Sequence, residues 1–523
     1  MPVKKQPAPA VETLSIANRR YLYFSAAVTG AAIMIVEILG AKMLAPYFGT
    51  SHFVWTAQIA VTLVALAAGY YAGGAQVDRS PRLRRLYGSV LVAGVYLSLT
   101  VWIVRPLAYW CLGFKLALGS LLASAMLFFV PLCLLAMVCP FLIRVLTVSV
   151  SGVGGNVGRL TAVSTLGSFA GTILIGYLLI PFLPNSMTML ITAMALMLVA
   201  GGFFWIWGKA KSDQVAAALA LVLGAAIGWG AGRTADPEGG KLVELYHGNS
   251  NFGQLQVFQA RNGPRRYYLN DYLTQNTYDT NEHQSLSMFT YMLHELPRAY
   301  APRIEDVLCI GLGVGIVPME FAREGARVDV VEINPAVIPV ARKFFELQPE
   351  RLNITIGDGR QFVNQCRKQY DVIVLDAFLG ESSPSHLFTR EAFGAMRRIL
   401  TTNGVLVINC FGDFDRGKDF FVASLEKTLG NVFASVRIHN EHNGGNVLFV
   451  ASPRPQLNLL KAPDFARINA SVRRSVEIAF DRIVESDPNH GIVLTDDFNP
   501  TDYYDAVNRE RFRRELAFAL RNL

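Results

Sequence analysis

The chain changes character partway along. From Tyr21 to Gly232 charged residues are scarce and apolar residues run on without the alternation of a half-buried strand. From Lys241 onward, short β-branched runs alternate with polar, helix-forming stretches. A helix needs roughly 20 apolar residues to cross a bilayer core of about 30 Å. The pattern predicts seven such segments, at about 21–47, 53–74, 87–105, 116–143, 163–183, 187–207 and 214–232. The fourth carries Pro131 and Pro140, so it either kinks or continues as an interfacial stretch, and a division there would bring the count to eight. Gly167 and Gly171 form a GxxxG pair in the fifth, a spacing that suits close helix packing. The first apolar run is too long for a cleavable signal core and reads as a signal anchor.

The second half is organised differently. After a cytoplasmic tail (1–20), the membrane segments (21–232) and a polar, glycine-containing linker (233–240), residues 241–300 read as a small β-rich subdomain. Residues 301–460 read as a Rossmann-like α/β domain with helices on both faces of a parallel sheet, and 461–523 as a helical extension. Val307–Ile310, the first strand of the α/β domain, runs into Gly311-Leu312-Gly313-Val314-Gly315 and then a helix through Arg323. Glycines there let the backbone turn tightly and approach a ligand at the free N–H groups of a helix start. Alone, such a loop is equally a tight strand–helix turn. The second strand, Arg327–Ile333, carries Glu332 near its end, about 20 residues past the glycines, where a carboxylate accepts hydrogen bonds from ribose hydroxyls. The third, Asn353–Ile356, ends at Gly357-Asp358-Gly359, and the fourth, Asp371–Leu375, ends at Asp376. Three successive strands thus deliver carboxylates to the edge where open α/β sheets bind ligands, and the expectation is a nucleoside.

Composition sharpens this picture. Only 17% of the 523 residues are charged, against about 25% for a soluble chain, and the mean hydropathy is +0.32. The net charge of +8 does not point to nucleic acid, because much of the basic excess in the first half sits in short loops between apolar segments. Lys4, Lys5, Arg19 and Arg20 precede the first segment; Arg79, Arg82, Arg84 and Arg85 follow the second; Arg144 and Arg159 flank the loop after the fourth; Lys209 and Lys211 follow the sixth. That asymmetry puts the N-terminus in the cytoplasm. An odd number of spans would then leave the C-terminal domain outside. Glu37 and Lys42 lie at or near membrane depth, either marking a functional interior or pairing at a helix end. The six cysteines show neither a metal-ligand spacing nor a disulfide pattern, so no metal is expected. Cys309 and Cys410 read as small core residues.

The ordered landmarks Phe252-Gly253-Gln254-Leu255, Leu269-Asn270-Asp271 with Gln275, Val307–Gly311, Val331-Glu332-Ile333, Gly357-Asp358-Gly359 and Tyr370–Asp376 leading to Leu387-Phe388-Thr389 resemble the catalytic domain of spermidine synthases. The first half, with Glu37 through Ala45-Pro46-Tyr47-Phe48-Gly49, Gly73-Gly74 with Asp78-Arg79, and Ser164–Ser168, resembles the membrane region fused to such domains in bacteria. The resemblance implies a methyltransferase-type Rossmann fold and a multi-pass protein of the bacterial inner membrane. It implies aminopropyl transfer from decarboxylated S-adenosylmethionine, or another use of S-adenosylmethionine, to a small amine or other acceptor. Its partners would be the lipid bilayer and that acceptor, with a homo-oligomer allowed. Gly311, Gly313, Gly315, Glu332, Asp358 and Gly359 would hold the nucleoside, Glu332 at the ribose and Asp358 at the adenine amino group. Asp376 would be the catalytic base, while Gln254, Gln275 and Asp497 would contact the acceptor.

Several positions depart from the family pattern. Val314 stands where the glycine loop normally carries an acidic residue, and Leu379 and Gly380 replace the second Asp and the Pro of an Asp-x-x-Asp-Pro motif. The segment from Asn281 to Tyr291 has no clean Tyr-His-Glu, and His442-Asn443 replaces an aromatic pair before Gly444-Gly445. In the family these positions grip the aminopropyl chain and the diamine. The two-carboxylate turn Leu494–Pro500 either supplies a compensating acid or simply caps a turn. Three readings stay open: a membrane-bound aminopropyltransferase, another S-adenosylmethionine-dependent transferase of methyltransferase type, and a noncatalytic binding or transport-associated protein.

Overall fold

A computed structural model describes residues 15–49, 52–147, 152–208, 210–233, 241–250, 252–271, 273–378, 384–442, 444–487 and 489–504. Outside them lie most of the N-terminal tail, Lys209, the linker after Arg233, Leu379, Gly380, Asn443 and the expected final helix beyond Tyr504. The chain divides into two compact units near Ala235.

Among the described residues the first unit contains seven helices long and apolar enough to cross a membrane: α1 (Ile16–Phe48), α2 (His52–Arg79), α3 (Leu83–Cys111), α4 (Leu116–Leu146), α5 (Val153–Phe182), α6 (Asn185–Trp207) and α7 (Lys211–Arg233). The long fourth segment does not divide into two spans. It absorbs Pro131 through a widened π-helical turn at Ala125–Phe129, and α5 does the same ahead of Pro181 at Ile175–Leu179. A proline ring clashes with the carbonyl four residues before it, and each widened turn contains that residue, Leu127 or Tyr177. The GxxxG pair serves close packing. A Cβ on Gly167 would meet the Ala27 carbonyl oxygen at 2.1 Å, and one on Gly171 that of Ala31 at 2.5 Å. Ser168 Oγ donates to the Gly30 carbonyl across the same seam at 3.1 Å.

The second unit starts with a five-stranded antiparallel sheet, β1 (Leu242–Ser250), β2 (Gly253–Ala260), β3 (Arg265–Asn270), β4 (Leu273–Asp279) and β5 (Gln284–Ser285), paired in sequence order. Helix α8 (Met288–Tyr300) leads into the larger sheet. There β6 (Asp306–Ile310), α9 (Ile316–Arg323), β7 (Arg327–Glu332), α10 (Val337–Phe344), β8 (Asn353–Ile356), α11 (Gly359–Gln365) and β9 (Tyr370–Leu375) alternate, followed by α12 (Arg390–Arg398) and β10 (Leu400–Asp413). Helix α13 (Phe420–Gly430), β11 (Ser435–Asn440), β12 (Gly444–Ser452), α14 (Ala470–Asp481) and β13 (Ile483–Val484) complete the unit up to the short α15 (Thr501–Tyr504). The strand order is β13-β11-β12-β10-β9-β6-β7-β8, with β10 to β8 parallel and β11–β13 antiparallel.

Both faces of this sheet are covered. In β6, Val307 and Cys309 enter one core with Leu293, Leu296 and Phe321, whereas Leu308 and Ile310 enter the other with Phe388 and Phe393. Burial on both faces is why these strands read as unbroken apolar runs. Cys309 and Cys410 are buried free thiols within them. The segment expected to be a helical extension contains α14 and also adds β13 to the sheet edge through Ile438–Val484 pairing. Two residues of strand leave no readable period. The chain leaves β6 toward β7 on one side and returns to β9 on the other, so the crevice at the carboxyl ends of β6 and β9 is a topological switch point.

Candidate functional site

At that switch point the second unit encloses a cavity of about 570 Å³, within the range of small-molecule sites. The glycine loop forms one wall. Gly311, Gly313 and Gly315 have φ of 99°, 54° and 86°, values a side chain disfavours. At Gly311 approach matters as well as angle: a Cβ there would stand 2.2 Å from the Asp376 carbonyl oxygen. Gly311 and Gly313 line the cavity; Gly315 does not, and instead begins α9.

Glu332 ends β7 and is 8% exposed. Its Oε2 accepts the Leu312 amide at 2.9 Å and its Oε1 the Asn334 amide at 2.7 Å. The carboxylate therefore straps the glycine loop to the end of β7. Its remaining lone pairs can accept from a diol. Burial pushes its pKa up, while these amide bonds act in the opposite direction.

Asp358 does two things at once. Its Oδ1 caps α11 by accepting the Gln361 amide at 2.9 Å, and its Oδ2 lies 3.0 Å from His386 Nε2. Both residues line the cavity. Gly359 follows because a Cβ would meet Ile310 Cγ2 at 2.5 Å, so only glycine lets α11 start against β6.

Asp376 follows β9 and faces the cavity. Asn409 Nδ2 donates to its Oδ1 at 2.9 Å, and Asn446 Nδ2 donates to Asn409 Oδ1 at 2.9 Å. Burial pushes the Asp376 carboxyl up to about 6, and the Asn409 bond opposes that rise. Such a group is mostly ionised at neutral pH yet close enough to it to exchange a proton.

The remaining candidates separate. Gln275 lines the cavity. Gln254 does not: its backbone exchanges two hydrogen bonds with Asp271 at the β2–β3 junction, and its side chain meets His247. Asp497 is exposed and away from the cavity wall. Its turn docks through Asp496, which accepts from Arg360 at 2.9 Å and Thr389 at 2.6 Å, while Thr495 Oγ1 caps the Phe498 amide at 3.0 Å. Val314 is buried and lines a void of about 20 Å³ beside the cavity instead of the main wall.

Sequence reasoning missed Asn409, Asn446 and His386. Asn409 had a signal: it is a polar residue, 2% exposed, inside the apolar run Val405–Cys410. His386 sits on a short turn after Pro384, and no local pattern marks it. Among the described residues the lining includes three carboxylates, at Glu332, Asp358 and Asp376, and no Lys or Arg. The field thus favours a cation over a phosphate. No group of three or more candidate metal ligands occurs among the described residues.

The family described as Spermine/spermidine synthase domain matches residues 286–438, which include β6–β10. The Polyamine aminopropyltransferase of Vibrio vulnificus is 31% identical over 213 residues, 39% of this chain and 71% of that protein. An N-terminal histidine N-methyltransferase of Emericella nidulans is 36% identical over 153 residues, 28% of this chain and 26% of that protein. The crystal structure of spermidine synthase from Thermotoga maritima aligns with a TM-score of 0.35 at 22% identity, over 43% of this chain and 77% of that one.

Proposed function

Because the chain belongs to the polyamine aminopropyltransferase family, we propose that its second unit moves an aminopropyl group from decarboxylated S-adenosylmethionine to a small amine, at a membrane in which the seven apolar helices are embedded. The observation that carries this reading is the charge of the cavity, with three carboxylates and no Lys or Arg among the described lining residues. Decarboxylated S-adenosylmethionine brings a sulfonium and an ammonium group but no carboxylate. S-adenosylmethionine itself brings a carboxylate for which the described wall offers no Lys or Arg.

In this reading the lining residues divide the work. Gly311 and Gly313 admit the nucleoside close to the backbone, Glu332 accepts from the ribose hydroxyls and Asp358 faces the adenine. The amine nitrogen attacks the methylene next to the sulfonium. A C–N bond forms, the C–S bond breaks and its electron pair stays on sulfur, releasing methylthioadenosine. Asp376 takes the proton that the nitrogen loses, since a fully protonated amine has no lone pair to attack with. Holding the two reactants in line supplies much of the rest.

A second reading, methyl transfer, draws support from the similarity to a histidine N-methyltransferase over 153 residues. Incubating the purified full chain with either donor and putrescine separates them. Methylthioadenosine and spermidine from the decarboxylated donor support aminopropyl transfer. S-adenosylhomocysteine and a methylated acceptor would replace it with methyl transfer. A chain that binds no nucleoside removes both.

A further inference from the structure

Helices α1 and α5 run side by side in parallel: Gly167 faces Ala27 and Gly171 faces Ala31, so successive contacts climb both helices together. The glycines close this seam tightly. One turn nearer the helix starts, the same two faces carry Tyr23 and Val163, and below them Arg19, Arg20 and Arg159. These larger side chains hold the helices apart, leaving a groove of about 590 Å³ lined by Ile16, Arg19, Arg20, Tyr23, Arg159, Ala162 and Val163. The lining residues recur at i, i+3 and i+4 on each helix, so the groove is one continuous face of each.

Its chemistry is one-sided. Among the described residues three arginines and no carboxylate line the groove. Elsewhere in this unit Arg84 pairs with Asp213 and Arg144 with Asp78; Arg19, Arg20 and Arg159 have no ion pair among the described residues. Like charges gathered in this way repel unless an anion sits between them. Farther along both helices than the arginines, exposed apolar side chains flank the seam, with Phe24 55% and Leu166 and Phe169 each 66% exposed. An anionic mouth-filler with an apolar tail matches both parts.

We propose that this groove holds the phosphate headgroup of an anionic glycerophospholipid, clamped by Arg19, Arg20 and Arg159, with an acyl chain lying along Phe24, Leu166 and Phe169. Guanidinium forks suit phosphate oxygens better than ammonium groups do. Tyr23 contributes a ring of the amphipathic kind found at membrane interfaces. The inference rests on the membrane placement proposed above. Release of the chain from membranes by alkaline carbonate would sink that placement, whereas a chain that stays in membranes without lipid selectivity would sink the groove alone.

The test is native mass spectrometry of the full chain in mild detergent with phosphatidylglycerol, phosphatidylcholine or inorganic phosphate added. Phosphatidylglycerol is expected to be retained in preference to phosphatidylcholine. Each of Arg19→Gln and Arg159→Gln should weaken retention by about fivefold, Arg159→Lys less, and Arg82→Gln, on a nearby basic loop outside the groove, not at all. Because charge variants can misfold, a second measurement keeps the native arginines: Tyr23→Trp emission should be quenched more by brominated phosphatidylglycerol than by brominated phosphatidylcholine. Equal retention of the two lipids, wild-type retention in the double Gln variant, or capture of inorganic phosphate without lipid would overturn the proposal.

Discussion

Asn409 donates its side-chain amide to Asp376 Oδ1 at 2.9 Å, joining the middle of β10 to the end of β9. Burial raises the Asp376 pKa and this bond lowers it, leaving it at about 6. As a base, Asp376 acts only when ionised, so activity should fall as pH drops through about 6. Asn409→Leu removes the opposing contribution and leaves desolvation alone, so the acid limb of the kcat/KM profile should move to higher pH. A limb that stays in place would detach Asp376 from the profile.

Gly311 combines a φ of 99° with a 2.2 Å approach to the Asp376 carbonyl. Gly311→Ala should therefore destabilise the second unit by about 1–3 kcal/mol and displace the Asp376 backbone. Gly325 is the control, with a φ of 92° but open space around it. Gly325→Ala should cost about 1 kcal/mol and leave nucleoside binding unchanged. Thermal denaturation and nucleoside titration of both variants check this.

Glu332 accepts two backbone amides from opposite sides of the cavity floor. Glu332→Gln turns one acceptor into a donor facing an N–H group. The unmade bond should cost about 1–3 kcal/mol and weaken nucleoside binding about tenfold. Calorimetric titration with methylthioadenosine measures it directly.

If all seven apolar helices span a membrane, as proposed above, the segments before α1 and after α7 lie on opposite faces of it. Cysteine-accessibility tags placed before α1 and after Tyr504 should accordingly label from opposite sides. Labelling from one side would mean that one helix lies along the membrane, and α7, the least apolar of the seven, is the one to truncate next.

Much of this was legible in the chain because its causes are local. Apolar runs of span length gave seven helices, and two-sided burial made β6 and β9 largely apolar runs. The ligand edge was legible because each strand there ends on Gly, Glu or Asp. What escaped depends on residues far apart in sequence. Asn446 reaches Asn409 only because β12 pairs antiparallel with β10. His386 reaches Asp358 only because the turn after Pro384 folds over α11. Gln254 looked like a ligand contact, yet it fixes the β2–β3 junction through its backbone. Val314 occupies a family acidic position but is buried and lines a small separate void, which a one-dimensional motif cannot convey.

The account's central claim is that the cavity holds the donor nucleoside while Asp376 carries the proton. Its most direct test pairs two readings on one variant, calorimetric binding of decarboxylated S-adenosylmethionine and spermidine formation by Asp376→Asn. Binding should stay within a few-fold of the parent, because the nucleoside contacts lie at Gly311, Gly313, Glu332 and Asp358, while product formation should fall by about 10²–10⁴-fold. Transfer at the parent rate by Asp376→Asn would contradict the claim.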